Sequence, residues 1–220
     1  MHNGNLQKIK NGVRTYAITP HIPGGFVSAD TLEKIAKVSR KYKGVIKITS
    51  GQRFLITNLK EEDLPQIWEE LGMEPAVVTA NSVKNVEICP AAFCKRSKYN
   101  TTAMGLKISK KYSKMEVPCR TKIGVAGCLN ACGGVYSRDI GVIADKPGIM
   151  VVAGGSAGYN PRIADIIAKE LDEAAAMELV DCIFDFYKEE GQLGEKISFL
   201  IERIGIDTFK EKVLKRANLI

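Results

Sequence analysis

The 220-residue sequence predicts a mixed α+β fold (α/β mixed) with two domains, residues 1–79 and residues 80–220. Strand-like and helix-like segments follow one another through the first domain. Four of the six cysteines form two close pairs in the second domain. From Pro161 to the C-terminus the pattern is helical, which predicts a helical tail.

The first domain alternates strands and helices. "VRTYAIT", "GVIKITS" and "RFLITNL" read as strands, and "PAVVTA" as a final strand. One helix has a capping-box signature, Asp30 and Glu33, at its start, and a second tolerates Pro65 in its first turn. The order β-α-β-β-α-β is that of the split βαβ, ferredoxin-like arrangement.

In the second domain, two of the cysteines are expected just after the ends of strands. "VKNVEI" reads as a strand that runs into Cys89, and "TKIGVA" as a strand that leads to Cys128, with a basic helix over 101–112 between them. "DIGVIAD" and "GIMVVAG" read as paired strands around "KPG". Helices are expected after Asn160-Pro161, over 172–190, and in two short pieces divided by Gly205.

Composition limits the classes of function. The chain is 45% apolar and 26% charged, as globular proteins are. No run of about 18 apolar residues is present, which predicts no transmembrane helix, and the polar start "MHNGNLQKIKNG" predicts a cytoplasmic protein. The net charge of +7 fits a polyanionic ligand or cofactor. The basic segments match no nucleic-acid-binding motif, so we expect no nucleic-acid partner.

The two cysteine pairs predict a metal or redox centre. Four residues separate Cys89 from Cys94, and three separate Cys128 from Cys132. These spacings and the small neighbouring residues favour a [4Fe–4S] cluster over a zinc knuckle, with reduced structural thiols as a further alternative. Cys182 lies among apolar residues and is expected in the core, whereas Cys119 has no assigned role.

Several segments resemble the siroheme-containing nitrite and sulfite reductases. "GVAGCLNACGG" with the preceding "PCRTKIGV" is similar to the second half of that family's cluster motif, and "VKNVEICPAAFC" to the first half. "PGGFVSADTLEKIAKVSRKY" and "ITSGQRFLI" resemble its ferredoxin-like half-domain. The chain carries a single copy of a unit that larger members carry twice, as small assimilatory-type sulfite reductases do. Its first cysteine pair is one residue closer than is usual in the larger enzymes.

The resemblance implies a ferredoxin-like half-domain followed by a siroheme/[4Fe–4S]-binding α+β domain. It assigns the cluster to Cys89, Cys94, Cys128 and Cys132, with Cys132 also bridging to the siroheme iron. It assigns the oxyanion to Arg53, Lys84, Arg120 and Lys122. For the macrocycle and its carboxylates, the candidates are Thr49, Gln52, Arg14, Lys95, Arg96, Lys98 and Arg162, with a glycine-rich anion nest at Gly154, Gly155, Ser156 and Gly158.

The function implied is the six-electron reduction of sulfite to sulfide. Nitrite reduction to ammonium at the same site is an alternative, and so is a [4Fe–4S] electron-transfer or tetrapyrrole-binding protein without turnover. The sequence has no Rossmann fingerprint, so electrons are expected from a separate protein such as a ferredoxin. The single copy predicts a homodimer that reproduces the symmetry of the larger enzymes.

Overall fold

The computed structural model describes residues 4–10, 12–144 and 146–220. The chain divides into two compact units, which meet in sequence between Val78 and Thr79. Each unit has its own sheet and its own hydrophobic core.

The first unit is an antiparallel sheet with two helices packed on it. Its elements are β1 (Asn5–Lys10), β2 (Val13–Ile18), α1 (Ala29–Lys41), β3 (Val45–Ile48), β4 (Phe54–Leu59) and α2 (Leu64–Leu71). The strand order is β1-β2-β4-β3. Ile18 and Ile56 pair across the sheet and pack with Ile35 of α1 and Ile67 of α2. The apolar faces of both helices therefore close one core.

Three details of the first unit differ from the sequence prediction. β1 was not predicted, because Leu6 and Ile9 stay exposed and give no burial pattern. "PAVVTA" forms only an isolated bridge, between Pro75 and Pro20, since proline has no N–H to extend a ladder. Ser28, and not the predicted Asp30 box, caps α1 through a 3.2 Å hydrogen bond from the Thr31 N–H.

The second unit is a mixed sheet covered by helices. Its elements are β5 (Val83–Ile88), α3 (Thr101–Tyr112), β6 (Thr121–Ala126), β7 (Ile140–Ala144), β8 (Ile149–Ala153), β9 (Asp165–Leu171), α4 (Glu173–Glu190), α5 (Ile197–Ile204) and α6 (Ile206–Arg216). The strand order is β5-β6-β7-β8-β9, with β5, β6 and β7 parallel and the other pairs antiparallel. Every residue of β7 and β8 is buried. This central pair makes the sheet a rigid support for the loops at both ends of β6.

The predicted helix after Pro161 is wrong, because this segment forms β9 along the edge of β8. A fully apolar β8 would otherwise expose its hydrogen-bonding edge. The tail helices are α4, α5 and α6, and Cys182 lies in the core as predicted. Asp172 caps α4 by accepting a 2.7 Å hydrogen bond from the Ala175 N–H. Within the described residues, no helix is long and apolar enough to cross a membrane.

Candidate functional site

The two cysteine pairs lie in neighbouring loops at one edge of the second sheet. Cys89 directly follows Ile88, the last residue of β5. Only Gly127 separates Cys128 from Ala126, the last residue of β6. These strands are parallel, with Ile88 opposite Val125, so their carboxyl ends meet at the same edge. The Cys89 N–H continues the ladder by donating to the Val125 carbonyl at 2.9 Å. The fold thus brings the loops together although 33 residues separate Cys94 from Cys128.

Gly127 is the position where the two loops pack. Its carbonyl accepts hydrogen bonds from the Lys98 N–H at 2.9 Å and the Ser97 hydroxyl at 3.2 Å. A Cβ on residue 127 would overlap the Ser97 hydroxyl and lie 2.8 Å from the Ala91 Cβ. Only glycine allows this approach without displacing the first cysteine loop.

The four cysteines are free of disulfide bonds and differ in exposure. Cys94 and Cys132 are exposed, Cys89 and Cys128 are half-buried, and none forms a disulfide. The Asn130 side-chain amide donates to the Cys132 Sγ at 3.0 Å. Among the described residues, no three His, Cys, Asp or Glu side chains are grouped as ligands of one metal ion. Four thiolates on two touching loops fit the larger [4Fe–4S] cube better than a single zinc ion.

A cationic cavity of about 440 Å³ lies at the opposite, amino end of β6. Arg120 and Lys122 line it from the start of the strand, with Thr121 between them buried on the other side. Arg138 and Lys196 bring two further cations. Fixed cationic donors around a cavity are the arrangement that binds small oxyanions and carboxylates.

Two buried carboxylates pair with two of these cations, Lys196 and Arg138. Asp139 is 2% exposed, and its Oδ2 accepts the Lys122 backbone N–H at 2.8 Å while its Oδ1 accepts the Lys196 Nζ at 2.9 Å. Glu87 is 4% exposed and accepts two hydrogen bonds from Arg138, the one from Nε at 2.8 Å. The cavity is therefore preorganised by pairing inside the protein.

Arg138 also connects the cavity with the second cysteine loop. Its Nη2 donates to the Gly133 carbonyl at 3.1 Å, directly after Cys132. One guanidinium thus contacts β5 through Glu87, the cysteine loop through Gly133, and the cavity. Sequence reasoning missed Glu87, Arg138, Asp139 and Lys196. The available signal was Glu87 in an apolar strand, since a buried carboxylate requires a partner.

The other predicted residues of the second unit have varied positions. Ser156 and Gly158 line the cavity with Arg120 and Lys122. The ammonium of Lys84, on β5, donates a hydrogen bond to the Thr79 carbonyl. Lys84 is not among the residues that line the cavity. The remaining cations, Lys95, Arg96 and Lys98, are exposed in the first cysteine loop.

The glycine-rich segment is packed and does not lead into a helix. The Gly154 N–H donates to the Asp139 carbonyl at 2.8 Å, and the Ser156 N–H to the Arg162 carbonyl at 2.9 Å. Gly155 packs against the backbone of Tyr136 and Arg138. The expected helix start is wrong because β9 follows, so no helix dipole supports an anion nest here. The guanidinium of Arg162 contacts Gly154 and Asp165.

The first unit contains the remaining predicted residues. Thr49, Gln52 and Arg53 share the turn between β3 and β4, where the Thr49 N–H donates to the Arg53 carbonyl at 2.9 Å. Gln52 has a left-handed backbone, with φ 57°. Arg14 is exposed on β2 and donates to the Gln7 carbonyl at 2.9 Å. The roles implied for these four residues stay predictions.

Sheet, cysteine loops and cavity fit the class of redox proteins that bind an iron–sulfur cluster and a small anion. Residues 79–219 match the family described as nitrite and sulphite reductase 4Fe-4S domain, and residues 7–74 match its ferredoxin-like half domain. The chain belongs to this nitrite and sulphite reductase family, which confirms the predicted fold class and family. Membership implies siroheme and a [4Fe–4S] cluster, the cofactors predicted from the sequence.

Individual relatives are similar over most of the chain. An assimilatory-type sulfite reductase of Nitratidesulfovibrio vulgaris is 34% identical over 91% of this chain and 93% of its own length. An NAD(P)H nitrite reductase of Bacillus subtilis is 30% identical over 94% of this chain, but over only 25% of its own length. The structure of the Mycobacterium tuberculosis NirA protein shares the fold, with a TM-score of 0.81 and 18% identity over 94% of this chain and 41% of that one.

Proposed function

We propose that this chain reduces sulfite to sulfide, taking six electrons from a separate donor protein. The observation that carries the proposal is the cationic cavity joined to the cysteine loop by Arg138. Sulfite is favoured over nitrite because the N. vulgaris sulfite reductase matches this chain over 93% of its own length. The similar nitrite reductase of B. subtilis matches over a quarter of its length only.

The cysteines would hold the cofactors. Cys89, Cys94, Cys128 and Cys132 would hold the cluster, and the family resemblance assigns Cys132 a role toward siroheme as well. When bound, these groups supply single electrons and a metal position for the anion. The touching loops and accessible thiols of the structure fit this assignment.

The protein's own residues would bind the anion and supply protons. Bisulfite takes up six electrons and six protons to give hydrosulfide and three waters, so the site must deliver protons repeatedly. Arg120 and Arg138 keep their charge throughout, since a guanidinium does not lose its proton, and are suited to hold the anion. Lys122 is suited to proton donation, because a desolvated ammonium can release a proton. Arg53 and Lys84 stay predicted members of the anion-binding set.

A Lys122→Met variant tests this function. We expect sulfide release with a dye reductant to fall by about a hundredfold or more, as for removal of a proton donor. Siroheme and iron content should match wild type. Lys188→Met is the control, because Lys188 faces Asp185 on the outer side of α4 and is absent from the cavity lining. Wild-type protein that carries both cofactors but releases no sulfide would contradict the proposal and favour the electron-carrier alternative.

Nitrite is the second substrate to assay. The same site chemistry accepts it, and nitrite reductases are among the relatives. The ratio of kcat/KM for sulfite to that for nitrite decides between them. A ratio below one would assign the chain to nitrite reduction.

We propose that the donor, such as a ferredoxin, docks at the first cysteine loop. Lys95, Arg96 and Lys98 are exposed there beside the exposed Cys94, and opposite charges steer such encounters. The rate of reduction by an acidic ferredoxin should fall steeply with ionic strength. A rate independent of salt would contradict this docking mode.

We also propose a homodimer and a cytoplasmic location. The single copy of the repeat supports the dimer, and light scattering of the cofactor-loaded protein that shows only monomer would contradict it. The location is supported by the absence of disulfides among the described cysteines, which is typical of a reducing compartment. Fractionation of cells would test it.

A further inference from the structure

We infer that the C-terminal tail contributes a further anion-binding residue, Lys196, to the cationic cavity. We infer also that Asp139 is a positioning residue that sets Lys196 and Lys122 relative to each other. The inference rests on the proposed function of the cavity. It deepens that function by adding a tail residue that no motif indicated.

Lys196 lies where the tail meets the cavity. It precedes the first residue of α5, and its side chain is 27% exposed. It lines the same cavity as Arg120 and Lys122. An ammonium has three N–H donors, and Asp139 Oδ1 accepts one of them at 2.9 Å. Donors therefore remain for an anion in the cavity.

Asp139 connects the tail to β6 through one carboxylate. Its second oxygen accepts a hydrogen bond from the Lys122 backbone N–H at 2.8 Å, so both lysines contact the same buried carboxylate. Asp139 directly precedes β7, and its backbone carbonyl accepts the Gly154 N–H at 2.8 Å, which fixes the carboxylate's own main chain. A shift of this carboxylate would move the Lys196 ammonium and the start of β6 together.

The cavity is rich in cations. Among the described residues it is lined by Arg120, Lys122, Arg138 and Lys196. Asp139 pairs with Lys196, and the adjoining Glu87 pairs with Arg138. A cavity lined by several cations favours a small oxyanion or a carboxylate as its ligand.

The attachment of the tail does not by itself explain Lys196. Its neighbour Glu195 already anchors α5, accepting hydrogen bonds at 2.8 Å from Nε and Nη2 of Arg203. The Tyr187 hydroxyl further donates to the Glu195 carbonyl at 2.5 Å. With this anchor one residue away, Lys196 is not needed to attach the tail, and besides its bond to Asp139 it lines the cavity.

The ligand is a small oxyanion or a carboxylate, and two sources offer this chemistry. One is the substrate, and the other is a carboxylate arm of the macrocycle. The experiment uses the cofactor-loaded enzyme and the variants Lys196→Gln and Lys196→Arg. Lys215→Gln is the matched control, because Lys215 is also a tail lysine paired with a carboxylate, Glu211, but is exposed and outside the cavity.

Three quantities are measured: siroheme per chain, sulfite affinity by absorbance titration of the oxidised enzyme, and KM against kcat. We expect Lys196→Gln to weaken the binding of either sulfite or siroheme by about tenfold or more, as for loss of a hydrogen bond to a charged group. Lys196→Arg should restore most of it. Weaker sulfite affinity with normal siroheme content identifies the oxyanion as the ligand. Lower siroheme content with unchanged KM in the loaded fraction identifies a carboxylate.

The inference is overturned if Lys196→Gln and Lys215→Gln match wild type in all three quantities. Failure of wild type itself to reduce sulfite would instead contradict the proposed function. If Lys196→Gln does not fold, Lys196→Met removes the charge and keeps the aliphatic stem, and is read in the same way.

Asp139→Asn tests the positioning role. An asparagine keeps an oxygen for the Lys122 N–H and removes the charge that holds Lys196. We expect KM for sulfite to rise about tenfold while kcat changes less, because ground-state anion binding is weakened. A loss of thermal stability with unchanged KM would show a structural role only and contradict the assignment.

Discussion

The two ends of β6 are organised in different ways. At the carboxyl end, the cysteine loops are held by backbone hydrogen bonds and by close packing at Gly127, and two of the four thiols are exposed. Near the amino end, Asp139 pairs with Lys196 and Glu87, from farther along β5, pairs with Arg138, and both carboxylates are almost fully buried. Small residues and main-chain hydrogen bonds thus shape the carboxyl end, the cysteine end. Ion pairs shape the amino end, the cation end.

The difference reflects what each end must bind. A cluster supplies its own strong bonds to thiolates, so its loops need mainly the correct backbone path. A small anion exchanges at every turnover and forms weaker bonds, so its cations must be in place beforehand. Substitutions should therefore act on cofactor content at one end and on anion binding or stability at the other.

The largest effect is expected at the cysteine end. Cys132→Ser should abolish sulfide release and reduce iron and labile sulfide, because a serine hydroxyl is a poor replacement for a thiolate ligand. The counts of iron and sulfide per chain check this. Cys119→Ser, outside the two loops, should retain both; equal iron content in the two variants would contradict the ligand assignment.

Next in size is the buried ion pair at the cation end. Glu87→Gln leaves Arg138 without its counter-charge and should lower the free energy of unfolding by about 3 kcal/mol. Urea denaturation of the cofactor-free protein measures the effect apart from the cluster. Glu62→Gln is the control, because its pair with Lys60 is 3.9 Å apart with both side chains 72% exposed, and such pairs contribute about 0–1 kcal/mol. Similar losses in both variants would contradict a preorganised cation end.

Packing of the cysteine loops is tested by a single methyl group. Gly127→Ala should push Ser97 and Ala91 away from residue 127, cost about 2 kcal/mol and lower cluster content. Gly133→Ala is the matched control in the second loop, since a Cβ there meets no atom within 4 Å. Unchanged iron content and stability in Gly127→Ala would show that the loops need not touch.

The smallest effect concerns the anchor of the tail. Arg203 donates two hydrogen bonds to the Glu195 carboxylate, and this lowers the pKa of that carboxyl below its ordinary value. The resulting stability is present above the unfolded pKa of about 4.3 and is lost as pH falls through the lower folded pKa. Glu195→Gln should cost about 1 kcal/mol at neutral pH.

Urea titrations at several pH values check the direction of this pH dependence of stability. The difference between wild type and Glu195→Gln should shrink as pH falls below about 4. Glu211→Gln, whose partner Lys215 has a 62% exposed side chain, serves as control and should change stability by less than about 0.5 kcal/mol. A difference that grows with acidification would contradict the linkage.

Local sequence was sufficient for most elements, including the strands that end before Cys89 and Cys128. The parallel pairing of these two strands, which brings the cysteine loops together, was not predicted and is seen in the structure. α4, α5 and α6 follow helical periodicity, and Gly205 divides the last two as predicted. These features depend on contacts between residues near in sequence or on one repeated period.

The cation end depends on contacts that no local pattern contains. Glu87 meets Arg138 across 51 positions, and Asp139 meets Lys196 across 57. β9 was mistaken for a helix because its pairing with β8, and not its own periodicity, decides its structure. Site residues whose partners are distant in sequence are therefore the ones that sequence reasoning missed.

The Asp139 carboxylate accepts a hydrogen bond from the main-chain N–H of residue 122. Any residue except proline can donate that same N–H, so this hydrogen bond does not require a lysine. A variant at position 122 can therefore lose its side-chain chemistry and keep this link between the two strands. Loss of activity in such a variant then reports on the lysine side chain more than on the strand that carries it.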